Sequence, residues 1–145
     1  RGALVGTEIH RKVQAERQAE FTGYLPEVVI QHSFERGDYN FTIQGRIDGL
    51  FSEDPIRIEE IKSSFNVYEL MKRLREKGDE HPYLLQLKTY GYFYWLQKKV
   101  MPELQLYLVS SRNFEGVNFE TKLDLEIYEA WHERRLDELV ERAEQ

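Results

Sequence analysis

The residues best equipped for chemistry are two acids and a lysine: Asp48 within Gly45-Arg46-Ile47-Asp48-Gly49, then Glu60 and Lys62 within Glu60-Ile61-Lys62. Carboxylate oxygens suit hard cations such as magnesium, which keep several waters and need few protein ligands when a phosphate completes the shell. Such an ion acidifies a bound water and offsets charge on a scissile phosphate. A lysine one strand repeat from a ligand would orient that water and balance the charge that develops on the phosphorus centre. The set therefore suits phosphodiester hydrolysis. Glu120-Thr121-Lys122 carries the same acid-x-Lys spacing but has no aspartate on a preceding strand. The plain alternative for Asp48, Glu60 and Lys62 is a hairpin with ordinary surface charges.

Two strands must bring these groups together. From Asn40 to Phe51 the side chains alternate, with Phe41, Ile43, Ile47 and Phe51 on one face and Thr42, Gln44, Arg46 and Asp48 on the other. Gly45 and Gly49 flank the aspartate and leave room for backbone or ligand. Ser52-Glu53-Asp54-Pro55 reads as a turn, and Ile56 to Lys62 as the returning strand. Period two sets Glu60 and Lys62 on one side and Ile61 on the other. As hairpin neighbours, Asp48 and Glu60 would reach a common ion.

Two helical segments add candidates. An opening helix buries Val5, Ile9 and Val13, which leaves His10 at the margin of the stripe. His10 reads either as a hydrogen-bonded boundary residue or as an imidazole ligand, and the latter would suit manganese as well as magnesium. The segment from His81 to Tyr90 opens a long aromatic helix, with Asp79 as cap and Pro82 in the first turn. Most of its aromatic residues read as core. Gln86 is different, since an amide on the stripe of Tyr83, Leu87, Tyr90 and Tyr94 needs a polar partner, which a cleft over DNA would supply.

In this order, Gly6…His10, Gly45-Arg46-Ile47-Asp48, Glu60-Ile61-Lys62 and Gln86-x-x-x-Tyr90 resemble the PD-(D/E)XK nuclease superfamily. The set is most similar to its RecB-like exonuclease branch. Gly-Thr-Glu-Ile-His, Ile-Glu-Glu-Ile-Lys and Leu-Gln-Leu-Lys-Thr-Tyr more narrowly resemble the nuclease domain of some bacterial XPD-like helicases. The resemblance implies that His10, Asp48 and Glu60 are ligands for Mg2+ or Mn2+, with Ile61 lending its carbonyl. It makes Lys62 the catalytic lysine, has Gln86 and Tyr90 order the site and the DNA, and offers Glu27 as a further acid. It also implies DNA, in single strands or at strand ends, as substrate, a helicase motor in cis, and a setting in repair or recombination. Some members of the branch hold an iron–sulfur cluster on four cysteines, which a chain without cysteine cannot do.

The element pattern is a helix near 3–20, strands at 27–36, 40–51 and 56–62, and helices near 66–77 and 81–99. A strand at 103–110, a possible short one at 117–122 and a closing helix at 123–143 complete it. The order αβββααβ(β)α predicts an α/β class with a restriction-endonuclease-like core, a mixed sheet flanked by helices. At 145 residues the chain has one core's worth of sequence. It reads as a single nuclease domain over residues 1–145, excised from a longer helicase-nuclease chain, since it starts at Arg1 rather than Met.

Composition narrows the alternatives. No apolar run approaches the ~20 residues of a membrane span, no signal peptide is visible, and a cytoplasmic location is expected. Without a cysteine, serine elbow or Gly-rich phosphate loop, covalent hydrolase and ATPase chemistry are not expected within this domain. His132-Glu133-Arg134-Arg135-Leu136 starts like a zincin helix but lacks its second histidine, and reads as a solvated face. The net charge of −6 is unusual for a DNA binder. Lys72, Arg73, Arg75 and Lys77 concentrate the cations on one helix, either as a phosphate-tracking rim or as a solvated face. A non-catalytic DNA-binding module guiding a helicase is the alternative function. A glycosidase carboxylate pair would leave Lys62 and His10 without roles.

Overall fold

A computed structural model describes residues 2–145. The elements are α1 (Gly2–Glu20), β1 (Tyr24–Arg36), β2 (Tyr39–Phe51), β3 (Arg57–Ser64), α2 (Val67–Lys77), α3 (Pro82–Lys98), β4 (Glu103–Ser110), β5 (Gly116–Thr121) and α4 (Leu125–Ala143). A short 3-10 turn, Gly78–Glu80, joins α2 to α3. The five strands form one sheet in chain order. Every pairing is antiparallel except β3 with β4, which run parallel because α2 and α3 carry the chain back between them. This is the expected α/β class, a mixed sheet flanked by helices, consistent with a restriction-endonuclease-like core.

Each face of the sheet buries a different set of side chains. Ile9 and Val13 of α1 pack with Ile61 and Val109 on one face. On the other, Ile58, Leu104, Leu106 and Leu108 meet Leu84, Leu87, Tyr90 and Phe93 of α3 and Tyr128 of α4. Ile58 and Ile61 point to opposite faces, as odd spacing on a strand requires. The burial of β2 follows the predicted alternation from Phe41 to Ile47, with Thr42, Gln44 and Arg46 exposed.

Local chemistry sets the ends of the helices. Asn66 caps α2 by accepting from the Glu69 amide at 3.1 Å, and Asp124 caps α4 by accepting from Ile127 at 3.2 Å. The cap of α3 is His81, not Asp79: its Nδ1 accepts from the Tyr83 amide at 3.1 Å. Asp79 lies in the preceding 3-10 turn and instead pairs with Lys88, a buried ammonium that needs an anion.

Two further expectations are corrected. The strand expected from residue 27 already begins at Tyr24. His132 is no part of a solvated face: it is 2 % exposed and lies 4.3 Å, centroid to centroid, from the Phe34 ring, with Tyr92 and Tyr128 also beside it. Aromatic packing from β1, α3 and α4 encloses this position. The charged side chains around it, Glu133 and Asp137, turn outward to pair with Arg36.

Candidate functional site

The site lies where β2 and β3 part. Their ladder holds only Gly49↔Glu59, Leu50↔Ile58 and Phe51↔Arg57, whereas β2 pairs with β1 along most of its length. One step beyond Gly49 and Glu59, side chains replace the backbone ladder. The Asp48 amide donates to Glu60 Oε2 at 2.6 Å, and the Ile61 amide donates to Asp48 Oδ2 at 2.8 Å. Each acid thus satisfies a backbone donor that a continuous hairpin would have used. The two carboxylates are held side by side by the same contacts that open the sheet.

Around this opening the structure brings together most of the predicted residues. His10 Nε2 lies against the Ile61 carbonyl oxygen and 3.8 Å from Asp48 Oδ2. Lys62 Nζ donates to Gln86 Oε1 at 2.9 Å and sits 4.6 Å from the centre of the Tyr83 ring. The polar partner that Gln86 requires is therefore within the chain. Tyr90 is hydrogen-bonded to the Arg46 backbone and to the Gln86 amide, and burial together with the Glu60 charge raises its pKa.

Gly45 and Gly49 do leave room, though for tyrosine rings rather than for ligand. A Cβ on Gly45 would stand 2.4 Å from Tyr90 Cε1, and one on Gly49 would stand 2.1 Å from Tyr24 Oη. Glu27 falls between the pairs Pro26↔Gly49 and Val28↔Ile47, opposite Asp48. Its φ of 54° is a left-handed conformation uncommon for a glutamate, and it interrupts β1 at the level of the site.

Electrostatics concentrate on Glu60. Burial pushes its pKa up to about 8, and the neighbouring Asp48 carboxylate adds to the shift. Among the described residues, no three histidine, cysteine, aspartate or glutamate side chains stand close enough together to hold a metal ion as they are placed. What lies adjacent is an imidazole nitrogen beside a carbonyl oxygen and the Asp48 carboxylate, with the deeply buried Glu60 carboxylate on the Asp48 amide. That set fits a hard divalent cation, which would relieve the repulsion between the acids and leave positions for water and phosphate oxygen. His10, Asp48, Glu60 and the Ile61 carbonyl would hold it.

The basic helix divides. Lys72, Arg73, Arg75 and Lys77 are all exposed on α2 around buried Leu70 and Leu74. Burial lowers the pKa of His81 first, and the charges of Lys77, Arg73 and Lys62 lower it further. Arg73 and Lys77 therefore share the field of the catalytic candidate Lys62. The other acid-x-Lys sequence, at Glu120, lies on β5 opposite Gln105, at the far side of the sheet order from β2.

Four residues that support the site escaped the sequence reading. Gln14 donates to the Asp48 carbonyl at 2.9 Å. Arg17 holds the fully buried Glu59 at 3.1 Å, and Gln105 donates to the same carboxylate at 2.5 Å. The signal was present on α1, where His10, Gln14 and Arg17 fall at helical spacing beside the apolar stripe. A polar row next to a buried one marks a helix that reads a polar sheet face. Glu59 and Gln105 had no comparable signal.

No family model matches the chain, and no curated protein matches it. Among solved structures, the crystal structure of SSO0001 superposes with a TM-score of 0.63 at 18 % identity, over 86 % of this chain and 53 % of that one. The likeness shows the fold: a five-stranded mixed α/β sheet flanked by helices. The chain spans about half the length of SSO0001.

Proposed function

We propose that this chain is a metal-dependent deoxyribonuclease that hydrolyses phosphodiester bonds in single-stranded DNA or at strand ends. The observation that carries the reading is the parting of β2 and β3 around Asp48 and Glu60, with His10 and the Ile61 carbonyl on one side and Lys62 on the other. Magnesium or manganese bound there would supply an acidified water and neutralise phosphate charge. The chain's own residues do the rest. Asp48 and Glu60 fix each other through the backbone, so neither needs to reorganise. Gln86 aims the Lys62 ammonium, which orients the incoming water and offsets charge on the phosphorane. Tyr90, packed on Gly45, fixes Gln86 in turn.

Three wider proposals rest on the family resemblance. A helicase motor in cis supplies most of the DNA affinity, which a domain of net charge −6 needs. The setting is DNA repair or recombination, and the location is cytoplasmic. Among the described residues no helix is long and apolar enough to cross a membrane.

Labelled single-stranded DNA should be cut by the parent protein with Mg2+ or Mn2+ and survive in EDTA. Cutting that persists undiminished in EDTA, or in Asp48→Asn, overturns the proposal. DNA that is bound but never cut, with either metal, would instead support a non-catalytic module that guides a motor.

A further inference from the structure

The carboxyl ends of β3 and β4 carry an unusual surface. The two strands run parallel in register from Arg57↔Glu103 to Ser64↔Ser110, and the Ser111 amide donates to the Ser64 carbonyl at 3.0 Å. The segments that follow therefore leave the sheet side by side. Phe65 and Tyr68 follow β3, and they are 71 % and 84 % exposed. Arg112, in the loop after β4, lies 5.1 Å from the centre of the Phe65 ring. A cleft of about 210 Å³ is lined by Phe65, Tyr68 and Arg112 with Asn66, Asn113 and Glu115. In open α/β sheets, ligands meet the crevice beyond the carboxyl ends of the strands.

Rings this exposed serve no core, and their neighbours tell what they suit. The groups between them are amides, a single pair of opposite charges, Arg112 and Glu115, and the two valines Val67 and Val117. The charge is balanced, so attraction here must come from the ring faces. Flat rings separated by hydrogen-bonding groups fit successive nucleobases, which stack irrespective of sequence. Position agrees, because Phe65 is the third residue after Lys62 on the same strand exit.

The geometry points to Phe65, Tyr68 and Arg112 as a stacking platform for bases of a single-stranded nucleic acid whose backbone lies at the Asp48–Glu60–Lys62 cleft. This rests on the nuclease reading for the identity of the cleft, but the platform is testable by binding alone.

Parent and the double variant Phe65→Ala/Tyr68→Ala would be titrated by anisotropy with labelled oligothymidylate and with an abasic strand of equal length, in Ca2+ to suppress cutting. Side chains this exposed can be removed without loss of fold, which melting temperature verifies. Oligothymidylate binding should weaken roughly 30-fold or more, from the ~1–3 kcal/mol of each of two stacked bases. Abasic binding should be the same for both proteins, and the salt dependence should not change. Phe65→Trp should keep affinity, and its fluorescence should be quenched on saturation.

Equal oligothymidylate affinity in parent and double variant overturns the platform and returns the patch to a docking surface for another protein. An equal loss with the abasic strand, or an unquenched Trp, overturns it too. Hydrolysis of bis(p-nitrophenyl) phosphate with Mn2+ separates this from the nuclease reading, since so small a diester does not need the platform. The double variant should hydrolyse it at the parent's rate. A parent that cuts neither this diester nor DNA fails as a nuclease, while the oligothymidylate titration still decides the platform.

Discussion

Within the cleft, Asp48, Glu60 and Lys62 are each held by contacts other than their proposed chemistry, and this allows function to be tested apart from folding. Lys62 touches Gln86 and the face of Tyr83, and Gln86 is exposed. Lys62→Ala therefore leaves no buried group unpaired and should melt like the parent. Its cleavage rate should fall ~10²- to 10³-fold, the usual loss for one electrostatic stabiliser. Full activity in that variant would remove Lys62 from the mechanism. Asp48→Asn keeps an oxygen that can accept from the Ile61 amide, so the strand opening should survive. The full ligand charge is lost, and manganese affinity by calorimetry should weaken roughly tenfold or more. Unchanged manganese binding would show that the cation site lies elsewhere.

Among the elements, α1 does the most to define the site. Its His10, Gln14 and Arg17 reach Ile61, Asp48 and Glu59 in turn. Arg17 also lies over the Tyr107 ring, at 4.4 Å from its centre. Taking Arg17 away would leave Glu59 as an uncompensated charge in the core. Arg17→Ala should cost ~3–5 kcal/mol in urea denaturation, as for other broken buried pairs. Adding Glu59→Gln removes the stranded charge and should recover much of that loss. If Arg17→Ala alone is neutral, the ion pair does not anchor the helix.

At the scale of the whole molecule, two properties depend on charges from several elements. His132 sits between β1, α3 and α4. Its pKa is lowered first by burial, then by Arg36 and His32 of β1 and by Arg135, with Glu129 opposing. The folded chain thus takes up this proton at lower pH than the unfolded chain, whose histidine titrates near ~6.5. The stabilising contribution is complete above that value and is lost as pH falls through the depressed folded pKa. Chemical denaturation at pH 7.5 and pH 5.5 should show a smaller acid loss for His132→Phe than for the parent. Equal losses would show that carboxylates alone set the acid limit.

The second is the salt dependence that the proposed DNA binding would show. With a net charge of −6, attraction must be local, and Arg73 and Lys77 share the field of Lys62. Neutralising both should reduce the slope of log affinity against log salt by ~0.7 per lost phosphate contact. Neutralising Lys72 and Arg75 should change it less. Anisotropy in calcium at several salt concentrations measures both, and equal slopes in all three proteins would make α2 a solvated face.

The sequence by itself determined the elements and the chemical inventory. Alternation set the faces of β2 and β3, and the order of helices and strands led to a mixed sheet. Asp48, Glu60, Lys62, His10 and Gln86 stood out because short-range spacing and residue type are local properties. What only the tertiary structure decided is how those groups are held. The opening between β2 and β3 exists because two carboxylates take backbone donors from the ladder, a choice between competing hydrogen bonds that periodicity does not encode. Gly45 serves the Tyr90 ring, which comes from a helix distant in sequence. The Arg17–Glu59–Gln105 cluster joins three elements, and His132 is buried by three others. Each depends on long-range packing, where burial turns a polar side chain that could lie in solvent into one that must find a partner.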